Sequence, residues 1–82
     1  MLRVEDVEKN KLLAAFGKSL RTRRHALGLS QEELAHRSGI TMRYVSLLET
    51  GKRVPTIIVF VALARSLGLS GQGFMEDIEG GL

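Results

Sequence analysis

Residues 30–51, SQEELAHRSGITMRYVSLLETG, constrain the fold of this chain more than any other stretch. Ser30 followed by Gln31, Glu32 and Glu33 is a capping box. The Ser30 hydroxyl accepts the N–H three residues on, and the Glu33 carboxylate accepts the Ser30 N–H. Leu34 and Ala35 supply the buried side of a helix of about two turns. Gly39 then offers the left-handed backbone conformation that stops a helix. Thr41 caps a second helix, in which Val45 and Leu48 fall at helical spacing and Gly51 is the stop. Ala35 is small, as the place where the second helix crosses close over the first requires. Two short helices within about twenty residues, joined by a Gly-containing turn, form a helix-turn-helix with its second helix facing outward.

The flanking segments read as three further helices. From about Lys9 to Leu27, the residues Leu13, Phe16, Leu20 and Leu27 recur at spacings of three, four and seven, an amphipathic helix ended by Gly28. Gly17 is a weak point in it, costing up to about 1 kcal/mol against Ala unless a neighbouring helix comes close. Arg24 shares the apolar side with Leu20 and Leu27. It is read either as a phosphate contact or as the partner of Glu49 in an internal ion pair, gripped through two parallel hydrogen bonds. After Gly51, Pro55 biases Val54 away from helix and Thr56 caps a fourth helix over Thr56–Leu67, stopped by Gly68. Residues Ile57 to Ala64 leave that helix no polar face before Arg65. A helix apolar all round is expected to be buried all round, more than so short a chain can cover. Ile58, Val59 and Ala62 are therefore expected to meet a second subunit. Phe74, Met75 and Ile78 mark a short fifth helix; Phe74 and Ile78 either cover helix four or extend a dimer interface. Residues 1–8 are read as an N-terminal extension, frayed or leading into the first helix, and 79–82 as a loose end of a single domain spanning 1–82.

Charge is unevenly distributed. Residues 18–65 carry nine basic against three acidic side chains, whereas residues 66–82 carry Glu76, Asp77 and Glu79 and no base. The positive charge thus coincides with the two-helix motif, which favours a polyanion such as nucleic acid. The chain has no Cys, which excludes disulfides and thiolate metal sites. Its longest apolar run is far short of the roughly twenty residues that span a bilayer, and its N-terminus lacks the apolar core of a signal peptide. A cytoplasmic location is expected, with no membrane association. His25 and His36 stand apart with no second ligand cluster, no Cys nucleophile and no phosphate-cradling glycine loop, so neither an enzyme nor a metal or cofactor is expected.

Taken together, RTRR with Arg21 and Arg24, then GLSQEELA, SGIT, RYVSLLETGKRVP and ALARSLGLS within residues 17–69, resemble the phage-repressor-like Cro/C1 (Xre) family of helix-turn-helix DNA-binding domains. The resemblance covers about two thirds of the chain. It implies an all-α, compact five-helix lambda-repressor-like domain that binds double-stranded operator DNA, usually as a two-fold homodimer, with the third helix in the major groove. The short chain also resembles stand-alone regulators of that family, including controller proteins of restriction–modification systems.

Carried over where residues match, the resemblance implies phosphate contacts from Gln31, Lys52 and Arg53, and internal ion-pair positions at Arg24 and Glu49. Base reading falls to the start and outer face of the third helix: Thr41, Met42, Arg43, Ser46 and Leu47, with Thr50 at its far end on a base or a phosphate. Arg43 matches bidentate pairing with guanine O6 and N7, or else a phosphate contact. Met42 either touches a thymine methyl or fills a gap between helices. Tyr44 either places its hydroxyl on a phosphate or packs its ring against helix four. A second functional reading, motivated by the bare apolar fourth helix, is an antitoxin or accessory protein-interaction module that keeps the fold.

Overall fold

The structure is a computed structural model that describes residues 4–82, with side chains from Glu8 onward. Five helices follow in order: α1 (Val4–Ala26), α2 (Gln31–Ser38), α3 (Met42–Glu49), α4 (Ile57–Ser66) and α5 (Gly71–Gly80). The described residues form no strand. None of the described helices alone is long and apolar enough to cross a membrane.

Helices α2 to α5 share one starting device. Ser30, Thr41, Thr56 and Ser70 sit in extended backbone, and each hydroxyl accepts the N–H three residues on, at 3.0, 3.1, 3.1 and 2.9 Å. Each such cap satisfies a donor that the first turn leaves free and is worth about 1 kcal/mol. At α2 the box is complete, because Glu33 Oε1 accepts the Ser30 N–H at 2.9 Å. Gly39 then adopts φ 71°, and the Ile40 N–H closes on the Ala35 carbonyl at 3.0 Å. That turn swings the chain from α2 into α3.

The core draws on every helix: Phe16 and Leu20 from α1, Leu34 and Ala35 from α2, Val45 and Leu48 from α3, Leu63 and Ala64 from α4, Phe74 and Ile78 from α5. The rings of Phe16, Phe60 and Phe74 meet with centroids 5.1–6.1 Å apart. α3 packs on both α1 and α2, while α5 packs on α1 and α4. Burying one large apolar side chain stabilises by about 1.5–3 kcal/mol, and Val45 and Leu48 are both fully buried. The inner face of α3 is thereby fixed and its outer face left to solvent. Ser38 donates to the Ser66 hydroxyl at 2.9 Å, tying the ends of α2 and α4.

The structure decides between some alternatives and corrects other expectations. α1 begins at Val4, so the segment up to residue 8 is helical from there; residues 1–3 lie outside the described residues. α5 runs through Gly80, which makes Glu79 helical and not part of a loose end. Leu27 is 51% exposed, because α1 ends at Ala26 and the left-handed Gly28 turns Leu29 inward in its place. Phe74 and Ile78 are buried within the single chain, against Phe16 and the rest of the core. They have no surface left for a partner, so they are not interface residues. Val59 likewise leans on the core. The face of α4 that stays open holds Ile57, Ile58, Val61, Ala62 and Arg65 around one shallow hollow.

Candidate nucleic-acid interface

α3 is held at its far end by α1. A Cβ on Gly17 would lie 2.5 Å from the Glu49 carbonyl oxygen and 2.8 Å from that of Leu48. The absence of a side chain at Gly17 is what lets the two backbones approach so closely. Arg24, one turn after Leu20 and itself buried, completes the junction. Its Nε donates to Glu49 Oε2 at 2.6 Å, its Nη2 to Glu49 Oε1 at 3.0 Å, and its Nη1 to the Leu29 carbonyl at 2.8 Å. Gln31 Nε2 donates to the same Glu49 Oε1 at 3.1 Å. One carboxylate therefore ties together α1, the start of α2 and the end of α3.

The electrostatics agree with that geometry. Burial pushes the Glu49 carboxyl up, but the Arg24 and Gln31 donors and the nearby charges of Arg24 and Arg21 outweigh it and hold the group below its ordinary value. The bond to Glu49 raises Arg24 in turn, against the opposing effect of burial. Such a pair is strong because it is bidentate, and a third donor, on Nη1, is taken by the Leu29 carbonyl.

Facing away from this junction, Met42, Ser46 and Thr50 succeed one another at one-turn intervals along the outer side of α3, with Arg43 and Leu47 beside them. Thr41, Met42, Arg43 and Thr50 are exposed; Ser46 and Leu47 are half-buried. Thr41 spends its oxygen on the cap, and the Thr50 hydroxyl donates to the Ser46 carbonyl at 2.9 Å. Met42 is 52% exposed and stands outside the core cluster, so it fills no gap between helices. The Tyr44 ring is half-buried and packs against the core, and its hydroxyl has no hydrogen-bond partner among the described residues. Lys52 and Arg53 are exposed in the loop after α3, where the Lys52 N–H is anchored on the Leu47 carbonyl at 2.9 Å.

Arg21, named with Arg24 in RTRR but given no DNA contact from the sequence, belongs with this group. It is exposed on α1, one turn before Arg24, and its charge helps to lower the Glu49 carboxyl. The available signal was its spacing of three from Arg24, one helical turn. Arg23 behaves oppositely: Nη2 bonds Asp77 Oδ1 at 3.2 Å, turning that charge towards α5. The result is a helix with a mixed outer face, flanked by Arg21, Lys52 and Arg53, which make no ion pair among the described residues, and backed by the Arg24–Glu49 junction.

Comparison with known proteins agrees with the helix-turn-helix fold. A model of the helix-turn-helix family matches residues 18–74. The chain is 49% identical over 47 residues to an uncharacterized HTH-type transcriptional regulator, y4dJ, of Sinorhizobium fredii, covering 57% of this chain and 61% of that protein's length. It is 45% identical over 59 residues to an uncharacterized HTH-type transcriptional regulator of Methanothermobacter thermautotrophicus, covering 72% of this chain and 81% of the relative. Among solved structures it is similar to the restriction-modification controller protein C.AhdI from Aeromonas hydrophila. That match has a TM-score of 0.73 and 39% identity, covering 76% of this chain and 94% of the other. The chain belongs to the phage-repressor-like Cro/C1 family of helix-turn-helix DNA-binding domains.

Proposed function

We propose that the protein is a sequence-specific regulator of transcription that binds a two-fold operator as a homodimer, with α3 in the major groove. The observation that carries this reading is the division of α3 into two faces. Val45 and Leu48 are fully buried and its end is clamped through Glu49, while Met42 and Arg43 stand exposed at its leading end. In helix-turn-helix proteins the N-terminal residues of the second helix meet base edges, and two half-sites lie about 34 Å apart, one DNA turn. Arg43 is the residue suited to guanine, through O6 and N7. Lys52, Arg53 and Arg21 have the exposure and charge to meet phosphates, and the second N–H of the Gln31 amide remains for one. The regulators it resembles support the regulatory role.

The test is selection of random duplex DNA by the purified protein, followed by a salt titration of the recovered site. Recovery of a palindrome whose affinity falls steeply with salt is expected. In Arg43→Ala, discrimination at one base position per half-site is expected to relax by about 1–3 kcal/mol, with the thermal melt unchanged. Uniform weakening on all sequences would instead make Arg43 a phosphate contact. Weak, sequence-blind binding by the wild type would favour a protein-interaction module of the antitoxin or accessory kind. The exposed Ile57 and Ile58 of α4 motivate that second reading, and a complex formed without DNA would support it.

A further inference from the structure

Met42 is the apolar member of an otherwise polar leading edge. It is the first residue of α3 and 52% exposed, and its place is set by the Thr41 cap in front of it. Arg43 follows it in sequence, and Ser46 lies one turn further along the same side. A thioether has no donor and is a weak acceptor, so it cannot read the donor and acceptor patterns that distinguish guanine, adenine and cytosine. What it offers is a flexible, polarizable apolar surface. On the major-groove edges of the bases, only one group rewards such a surface: the methyl on carbon 5 of a pyrimidine.

Resting on the reading of α3 as the base-reading helix, we propose that Met42 recognises a pyrimidine 5-methyl group beside the guanine taken by Arg43. The chemical feature read is the methyl, carried by thymine and equally by 5-methylcytosine. Operator affinity therefore responds to methylation of cytosine at that position as well as to sequence.

The experiment uses the palindrome recovered by selection. Each thymine is replaced singly by deoxyuridine, which removes the methyl and keeps every hydrogen-bonding group. Affinity is expected to fall about fourfold per half-site at one position, the loss that corresponds to one buried methylene-sized group. Met42→Ala is expected to bind the thymine and deoxyuridine sites equally. Its melting temperature should match the wild type, since the side chain lies outside the core. A C·G pair placed at the same position separates the two sources of the methyl. There 5-methylcytosine is expected to bind more tightly than cytosine by a similar factor, and equality would overturn the extension to methylated DNA. The proposal as a whole is overturned by a half-site without thymine, by indifference to deoxyuridine at every position, or by a preference that survives in Met42→Ala. Failure to select any site is a different result, since it removes the base-reading helix itself.

Discussion

Gly17 sits where the backbone of α1 meets that of α3. Taken locally, a glycine inside α1 is a defect, and Ala in its place stabilises by up to about 1 kcal/mol. Taken in the fold, that Cβ would lie 2.5 Å from one α3 carbonyl oxygen and 2.8 Å from the next. Backbone cannot step aside as a flexible side chain does, so α1 and α3 must separate. Gly17→Ala is expected to destabilise by about 1–3 kcal/mol, lowering the melting temperature by several degrees. Gly80→Ala, with nothing near its Cβ, serves as the neutral or mildly stabilising control. Equal melting temperatures for the two variants would mean that the α1–α3 contact is looser than described. The Arg24–Glu49 pair, in contrast, was legible in the sequence. A charged residue in register with Leu20 on an apolar stripe needs an opposite charge, and Glu49 stood at the end of the facing helix. Gly17 was legible only as a question, because its answer is the distance to a backbone about thirty residues away.

At the scale of elements, periodicity and caps located all five helices, and the ambiguities left over were ambiguities of facing. Phe74 and Ile78 mark the apolar stripe of α5 whether that stripe meets α4, α1 or a second chain. Contact with Phe16 and Phe60 decides for the interior. The polar side of the same helix was not legible at all. Asp77 accepts hydrogen bonds from the Ser19 hydroxyl and from Arg23 Nη2, at 3.2 Å for the latter, pinning α5 onto α1. No spacing rule links side chains so distant in sequence. The Ser19 hydroxyl and then Arg23 hold the Asp77 carboxyl below its ordinary value, as Arg24 and Gln31 do for Glu49 against its burial. A carboxyl depressed in the folded state stabilises above its unfolded pKa, and that stability is lost as pH falls through the folded value. The melting temperature is therefore expected to decline below about pH 4.5, where free carboxylates begin to protonate. Asp77→Asn is expected to flatten that acid limb while costing less than about 1 kcal/mol at neutral pH, since the Arg23–Asp77 pair is at least a third exposed. Superimposable acid limbs in the two proteins would assign the pH dependence to other carboxyls, Glu49 first.

For the whole molecule, what remains is the apolar surface that the five helices leave uncovered. Leu12, Val54, Ile57 and Met75 are exposed around one apolar hollow, and Ile57 connects it to the open face of α4 with Ile58, Val61 and Ala62. A surface of this kind, contiguous and free of charge until Arg65, is what a two-fold contact between identical chains requires, because each patch must meet itself. The sequence pointed to α4 from its composition alone. Which of its residues face outward followed only from the packing, which turned Val59 in and left Val61 out. Ile58 is 78% exposed, so Ile58→Glu is expected to leave the stability of the single chain within about 0.5 kcal/mol of the wild type. In the proposed dimer it would set two carboxylates against an apolar surface. Sedimentation is then expected to report monomers. Affinity for the palindrome should fall by on the order of a hundredfold, because the second half-site no longer profits from the first. Affinity for an isolated half-site should stay as it was, since α3 and its clamp are untouched. A variant that remains dimeric with full palindrome affinity would move the interface to the hollow around Leu12 and Met75. Parallel loss on half-site and palindrome would mean that α4 acts on the DNA-reading surface itself.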